Sequence, residues 1–270
     1  MKNLIKSPLR YPGGKSRAVS QILPHIPLNI REYREPFVGG GSVFFAMRSL
    51  FRKQLTYVIN DLNRDLICFW RYVQQDVQAV ADTIRGFRDF YLQDGRALHQ
   101  FLRQEGNMRS DFDRAVRFFI MNRITFSGVM DAGGYSQQAF DKRFTLSSIE
   151  RLKNVAPYLA EVTIQHGDYE PLLYQDGKDV LLFLDPPYLS AAESRLYGVG
   201  GTLHTSFDHE RFAANMRKCP HRWLITYDDS PEIRKLFSFA QIIEWELQYG
   251  MNNFTQGTAA KGKELFIKNY

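Results

Sequence analysis

Apolar residues follow two different spacings along the chain. In residues 64–84 (RDLICFWRYVQQDVQAVADTI), and again in residues 112–123 (FDRAVRFFIMNR), they recur every three or four positions, the period of one helical face. Short β-rich or wholly apolar runs stand on either side. Residues 55–60 (LTYVIN) precede the helical stretch, and residues 162–165, 180–184 (VLLFL) and 223–226 (WLIT) follow it. VLLFL has no polar position, as expected of a central parallel strand covered on both faces. Residues 242–248 and 264–269 fit a closing antiparallel pair. Residues 42–50 predict a helix with Ser42 as its N-cap. Residues 125–148, where Gly128, Gly133 and Gly134 lie among Ser, Thr and basic side chains, read as irregular exposed loops. The pattern is a parallel α/β sheet, residues 1–63 and 151–270, interrupted by a helical insert at residues 64–150.

Two segments carry candidate chemistry at the ends of predicted strands. The first is Phe37-Val38-Gly39-Gly40-Gly41-Ser42. Glycines between a strand end and a helix start let the backbone turn sharply and a ligand approach closely. Asp61 ends the next strand, where a carboxylate accepts both ribose hydroxyls of an adenosine-type cofactor. Phe44 takes the place of the third glycine of a dinucleotide fingerprint, which disfavours NAD and favours a smaller nucleoside; a purely structural turn remains open. Gly13-Gly14-Lys15-Ser16 invites a P-loop reading, but Leu9 stands where that motif needs glycine and no strand precedes it. Lys15 remains a point charge for a carboxylate-bearing ligand.

The second segment is Asp185-Pro186-Pro187-Tyr188, directly after VLLFL. Two prolines fix the backbone and remove two amide donors. The Asp185 carboxylate and the Pro186 carbonyl remain as acceptors beside the flat face of Tyr188. That set suits a planar ligand with an amino group, though a rigid loop with a buried tyrosine is the alternative.

Composition narrows the classes. The 270 residues suffice for one large α/β domain or two small ones. A net charge of +6 with 14% aromatic residues suits a polyanionic partner. No apolar run approaches the ~20 residues of a membrane span, and the N-terminus has no apolar signal core. Cys68 and Cys219 are the two cysteines, too few for a disulfide framework, and the expected compartment is the reducing cytoplasm. The six histidines show no metal-ligand spacing, so no metal is expected.

Taken in order, YPGGK (11–15), PFVGGGSVF (36–44), NDLNRDLI (60–67), MNR (121–123) and LDPPY (184–188) resemble the Dam-type, alpha-group adenine-specific DNA methyltransferases, and the resemblance runs from Tyr11 to Ile267. It implies an S-adenosyl-L-methionine-dependent methyltransferase of Rossmann-like α/β fold, with a seven-stranded sheet and a helical target-recognition insert at residues 64–150. It implies double-stranded DNA as partner, adenine N(6) as the methylated atom and base flipping. Tyr11 and Lys15 would flank the methionine end of the cofactor. Phe37, Gly39 and Gly41 would line it, Asp61 would hold its ribose, and Asp168 would contact its adenine. Asp185, Pro186, Pro187 and Tyr188 would form the catalytic loop. Asn122, Arg123, Phe126 and Ser127 sit where the family touches DNA, with packing of Phe126 and solvation of Arg123 as the alternatives.

The chain departs from the GATC-reading members. Phe126-Ser127 replaces their Tyr-Asn pair and Asp131 replaces an arginine, so no target sequence is assigned. The same fold and loop also serve cytosine N(4), RNA adenine or protein amides, or persist in an inactive DNA-binding module. A monomer, with or without a cognate restriction endonuclease, is the expected assembly. Residues 189–206 suit a lid or a passive loop equally. Phe207 and Tyr227 are candidate pocket walls or core aromatics.

Overall fold

The computed structural model describes residues 4–11, 13–126, 133–189, 207–248 and 261–270. Seven strands form one sheet in the order β3-β2-β1-β4-β5-β7-β6. They are β1 (Glu32–Glu35), β2 (Thr56–Asp61), β3 (Val162–His166), β4 (Val180–Leu184), β5 (Arg222–Asp228), β6 (Gln241–Gln248) and β7 (Lys261–Lys268). β1 to β5 pair in parallel, whereas β7 runs antiparallel to both β5 and β6. The seven-stranded α/β architecture and the closing antiparallel pair match the expectation.

The helices are α1 (Val19–Ile22), α2 (Ser42–Phe51), α3 (Arg64–Phe90), α4 (Gly95–Arg103), α5 (Asp111–Ile124), α6 (Gln137–Arg143), α7 (Leu146–Leu159), α8 (Glu170–Tyr174), α9 (His209–Lys218) and α10 (Pro231–Leu236). β4 shows why its sequence is uniformly apolar. Leu181 and Phe183 join the core formed with α2, α3, α5 and α7, while Val180, Leu182 and Leu184 join the core under α8, α9 and α10. α3 is interrupted at Asp76 (φ −151°, ψ 76°), whose carboxylate caps the second segment by accepting from the Ala79 amide.

Two local expectations are corrected. Ser42 does not cap α2. The N-cap position is Gly41 at φ 70°, a left-handed conformation that falls naturally on glycine, and Ser42 is the first helical residue. Residues 137–143 and 146–148 are helical rather than loop. Ser136 caps α6, and Thr145 with Ser148 forms a capping box on α7, so residues that read as loop formers are helix starts. The strand before the glycine turn is β1, with the sequence EYRE, at the centre of the sheet. Its charges are buried. Arg34 is 0% exposed and donates to Glu32 Oε1 and to the carbonyls of Leu172, Gln175 and Asp176. Glu35 is 3% exposed and accepts from the Tyr33 hydroxyl at 2.6 Å.

Among the described residues no helix is long and apolar enough to cross a membrane, and no group of three or more His, Cys, Asp or Glu side chains is placed to hold a metal ion.

Candidate active site

Parallel strands open at their carboxyl ends, and β1, β2, β4 and β5 deliver their chemistry to that edge. After β1 the backbone passes through Gly39 (φ 45°) and Gly41 (φ 70°) into α2. Asp61, at the end of β2, reaches across and accepts from the Gly39 amide at 2.9 Å with one oxygen and from the Asn63 amide at 2.9 Å with the other. Burial pushes its carboxyl above the usual range, and the Asn63 and Gly39 amides oppose that shift. The Trp70 indole donates to the Gly39 carbonyl. Tyr11 lies flat against this turn: a Cβ on Gly39 would come within 3.0 Å of its ring, and one on Gly40 within 2.8 Å of its own Cβ.

The 11–15 segment is held by α5. Asn122, at the C-terminal end of α5, donates to the Arg10 carbonyl at 2.6 Å and accepts from the Arg10 amide at 3.1 Å. Asn122 was expected at the DNA surface. The structure instead leaves it 1% exposed, with both ends of its amide used on the backbone that leads into Tyr11 and Lys15.

Lys15 crosses to the end of β4. Its Nζ lies 2.8 Å from Asp185 Oδ1, donates to the Gly13 carbonyl and sits 4.7 Å from the Tyr188 ring centre. The same Asp185 oxygen accepts from the Thr226 hydroxyl of β5 at 2.8 Å. Lys15 is buried and Asp185 is 22% exposed, so the carboxylate opens to a ligand while the cation does not. Tyr188 stacks on Tyr227 at 5.8 Å and donates from its hydroxyl to Glu264 Oε2 of β7 at 2.9 Å. Tyr227 is a buried core residue, hydrogen-bonded to His209 Nδ1.

Phe37 belongs to an aromatic cluster with Tyr169, Phe207 and Phe212 beside the glycine turn. Asp168 follows β3, caps the Glu170 amide and meets Arg211 at 3.2 Å on the surface. Arg123 is buried over the Phe119 ring, and burial together with Arg151, Arg10 and Arg143 pushes its guanidinium down to about 9. Phe126 is 71% exposed. Ser127, Asp131 and the expected lid beyond Leu189 lie outside the described residues.

The structure therefore gathers Tyr11, Lys15, Phe37, Gly39, Gly41, Asp61 and Asp185–Tyr188 at one edge of the sheet. Sequence reasoning missed Thr226, Asp228, Glu264 and Glu35. Thr226, Asp228 and Glu264 are ordinary strand residues, and nothing but their register on β5 and β7 marks them.

Residues 11–251 match the D12 class N6 adenine-specific DNA methyltransferases. The chain belongs to that family. Its members act on adenine N(6) in DNA, and this chain is an adenine-specific DNA methyltransferase. It is 28% identical over 232 residues to the type II methyltransferase M.MjaIII of Methanocaldococcus jannaschii, covering 76% of this chain and 75% of that one. It is 27% identical over 244 residues to a DNA adenine methylase of Vibrio cholerae, with 87% and 85% coverage. A DNA N-6-adenine-methyltransferase of Escherichia phage P1 shares 25% identity over 242 residues, 86% of this chain and 31% of the phage protein.

Proposed function

We propose that this D12-class methyltransferase uses S-adenosyl-L-methionine and methylates a flipped adenine of duplex DNA on the Asp185–Tyr188 loop. The donor set at the sheet edge fits that cofactor. Each Asp61 oxygen keeps a lone pair beyond its amide contact for a ribose hydroxyl. The Phe37 cluster offers a flat apolar wall, Tyr11 stands beside the glycine turn, and the buried Lys15 acts through Asp185. Bound there, S-adenosyl-L-methionine supplies an electrophilic methyl group.

The chain's own residues prepare the nucleophile. An adenine inside a duplex is out of reach, so it leaves the stack at a cost of a few kcal/mol. The Tyr188 ring receives it. Lys15 and Thr226 both hold Asp185 through Oδ1, so Oδ2 faces the incoming amino group. Asp185 Oδ2 and the Pro186 carbonyl each accept one amino hydrogen. These bonds favour a pyramidal nitrogen whose lone pair is withdrawn from the ring, and Pro187 holds the loop rigid. The acceleration comes from positioning and fixed electrostatics, with no covalent bond between protein and base.

Duplex contacts fall to the insert at residues 64–150. Arg10, Arg143 and Arg151 offer charge for phosphates, with the buried Arg123 adding to their field from beneath, and exposed Phe126 fills the space left by the flipped base. Asn122 acts indirectly, by holding Arg10. Ser127 completes this surface on resemblance, and Asp168 reaches the cofactor's adenine once Arg211 yields. The enzyme works as a monomer in the cytoplasm. The type II names of the Methanocaldococcus and Lactococcus lactis relatives favour a cognate restriction endonuclease.

The observation that carries the reading is the double hold on Asp185 Oδ1 at the tip of β4. Single-molecule sequencing of DNA from a methylation-free host expressing the chain tests it. One short motif bearing N(6)-methyladenine is expected. Methylated cytosine, or unmodified DNA with folded cofactor-binding protein present, overturns it.

A further inference from the structure

The loop is gripped again beyond Asp185, by a pair of acids. Asp228 of β5 and Glu264 of β7 face each other directly in the antiparallel register. Like charges opposite one another destabilise a sheet, and Glu264 is 1% exposed, where a carboxylate needs hydrogen-bond partners. Each acid holds a successive residue of the loop. Glu264 Oε2 accepts from the Tyr188 hydroxyl at 2.9 Å, and Asp228 Oδ1 accepts from the Leu189 amide at 3.2 Å.

We infer that Glu264 is a positioning residue for methyl transfer, anchoring the far end of the Tyr188 ring so that the ring is in place before the target base arrives. This rests on the reading that Tyr188 stacks on that base. The phenol oxygen lies on the axis of the second side-chain torsion, so a hydrogen bond there fixes the first torsion and where the ring sits, while packing sets its tilt. Tyr227 stacks on the ring at 5.8 Å and sets that tilt, and Lys15 lies near it, but neither contact pins the ring's far end as a directional bond does. The Tyr188 hydroxyl therefore works indirectly, although stacking needs only the ring.

The test is the rate of tritiated methyl transfer from S-adenosyl-L-methionine to methylation-free genomic DNA, in a single turnover at saturating cofactor. A hydrogen bond to a charged group carries enough energy that Tyr188→Phe and Glu264→Leu should each slow transfer about tenfold. Glu264→Gln, whose amide oxygen still accepts the phenol proton, should stay within about threefold of wild type. Cofactor affinity of Tyr188→Phe should not move. The double variant Tyr188→Phe/Glu264→Leu should be no slower than the slower single variant, because both remove one bond.

With the recognition sequence mapped, 2-aminopurine in place of the target adenine gives a spectroscopic signature. Its fluorescence on binding should rise higher in Glu264→Leu than in wild type, because the flipped base stacks less well. Wild-type speed in Tyr188→Phe, additive losses in the double variant, or a Glu264→Gln as slow as Glu264→Leu each overturn the inference. Should Glu264→Leu fail to fold, Tyr188→Phe and Glu264→Gln decide alone. Tyr188→Ala separates the two levels: full speed there breaks the stacking reading. A slow Tyr188→Ala beside a full-speed Tyr188→Phe breaks the Glu264 inference and leaves stacking intact.

Discussion

The sheet edge is built in two ways. On the β1–β2 side the turn is made of backbone, with glycines at positive φ and amides donating to the single carboxylate of Asp61. On the β4–β5–β7 side it is made of side chains that meet across strands: Lys15 and Thr226 on Asp185, Glu264 on Tyr188, Asp228 on the Leu189 amide. A backbone cradle holds a ligand by shape and by fixed dipoles. A side-chain network holds a few reacting atoms in register. The first side should therefore govern cofactor affinity and the second turnover, and substitutions should separate accordingly.

Asp185→Ala should have the largest effect. It removes the acceptor of the target amino group and strands the buried Lys15 cation. Turnover should fall by at least ~10³-fold, and stability by about 3 kcal/mol, with DNA affinity largely kept. Single-turnover methylation beside fluorescence anisotropy checks this, and a variant that methylates at the wild-type rate ends the mechanism. Asp61→Asn comes next and tests the other side. Its amide group would face one of two N–H donors, leaving a donor pair unsatisfied at about 1–3 kcal/mol. Titration calorimetry should show cofactor affinity down ~10- to 100-fold, while the rate at saturating cofactor changes far less. A loss confined to the rate would erase the division between the two sides. Thr226→Val is smaller: an isosteric loss of one hydroxyl should slow transfer about fivefold, at unchanged cofactor affinity.

The same division explains what the sequence makes legible. Glycines with positive φ and an acid at the next strand end are local signals, so the Gly39–Asp61 turn can be read along the chain. So can VLLFL, because a strand covered on both faces is apolar throughout. Thr226 and Glu264 join the loop from 41 and 76 residues away, through register alone, and nothing in WLIT or KGKELFI marks them. β1 hides for a different reason. EYRE looks like surface, and its burial is possible because carbonyls at the end of α8 and the Tyr33 hydroxyl satisfy charges that no hydropathy pattern credits. Ser136 and Thr145 have the residue types of loops and serve as caps, an ambiguity that only the following turn resolves. Asn122 falls in the same class: its motif points to this region, and its partner, Arg10, shows what it does there.

Glu35 stands between the two sides and should give the smallest effect of all. It lies under the edge, with Asp185 and Asp61 both near enough to disfavour its charge, and burial adds the larger push. The Tyr33 hydroxyl and the Phe44 amide oppose these, and the balance leaves its carboxyl well above the usual range. The unfolded chain loses this proton near pH 4.3, whereas the folded protein keeps it to higher pH. Between those points the native state binds more protons, so Glu35 withdraws stability as pH rises, by at most about 1.4 kcal/mol per pH unit, and withdraws no more above its folded value. Glu35→Gln presents the same acceptor to Tyr33 without a titrating group. Its melting temperature, relative to wild type, should climb from pH 5 to pH 8, with methyl transfer within about threefold. A variant less stable than wild type by the same margin at every pH would mean that the folded protein uses Glu35 as an anion. Glu35 would then belong with the carboxylates above it and not with the core beneath them.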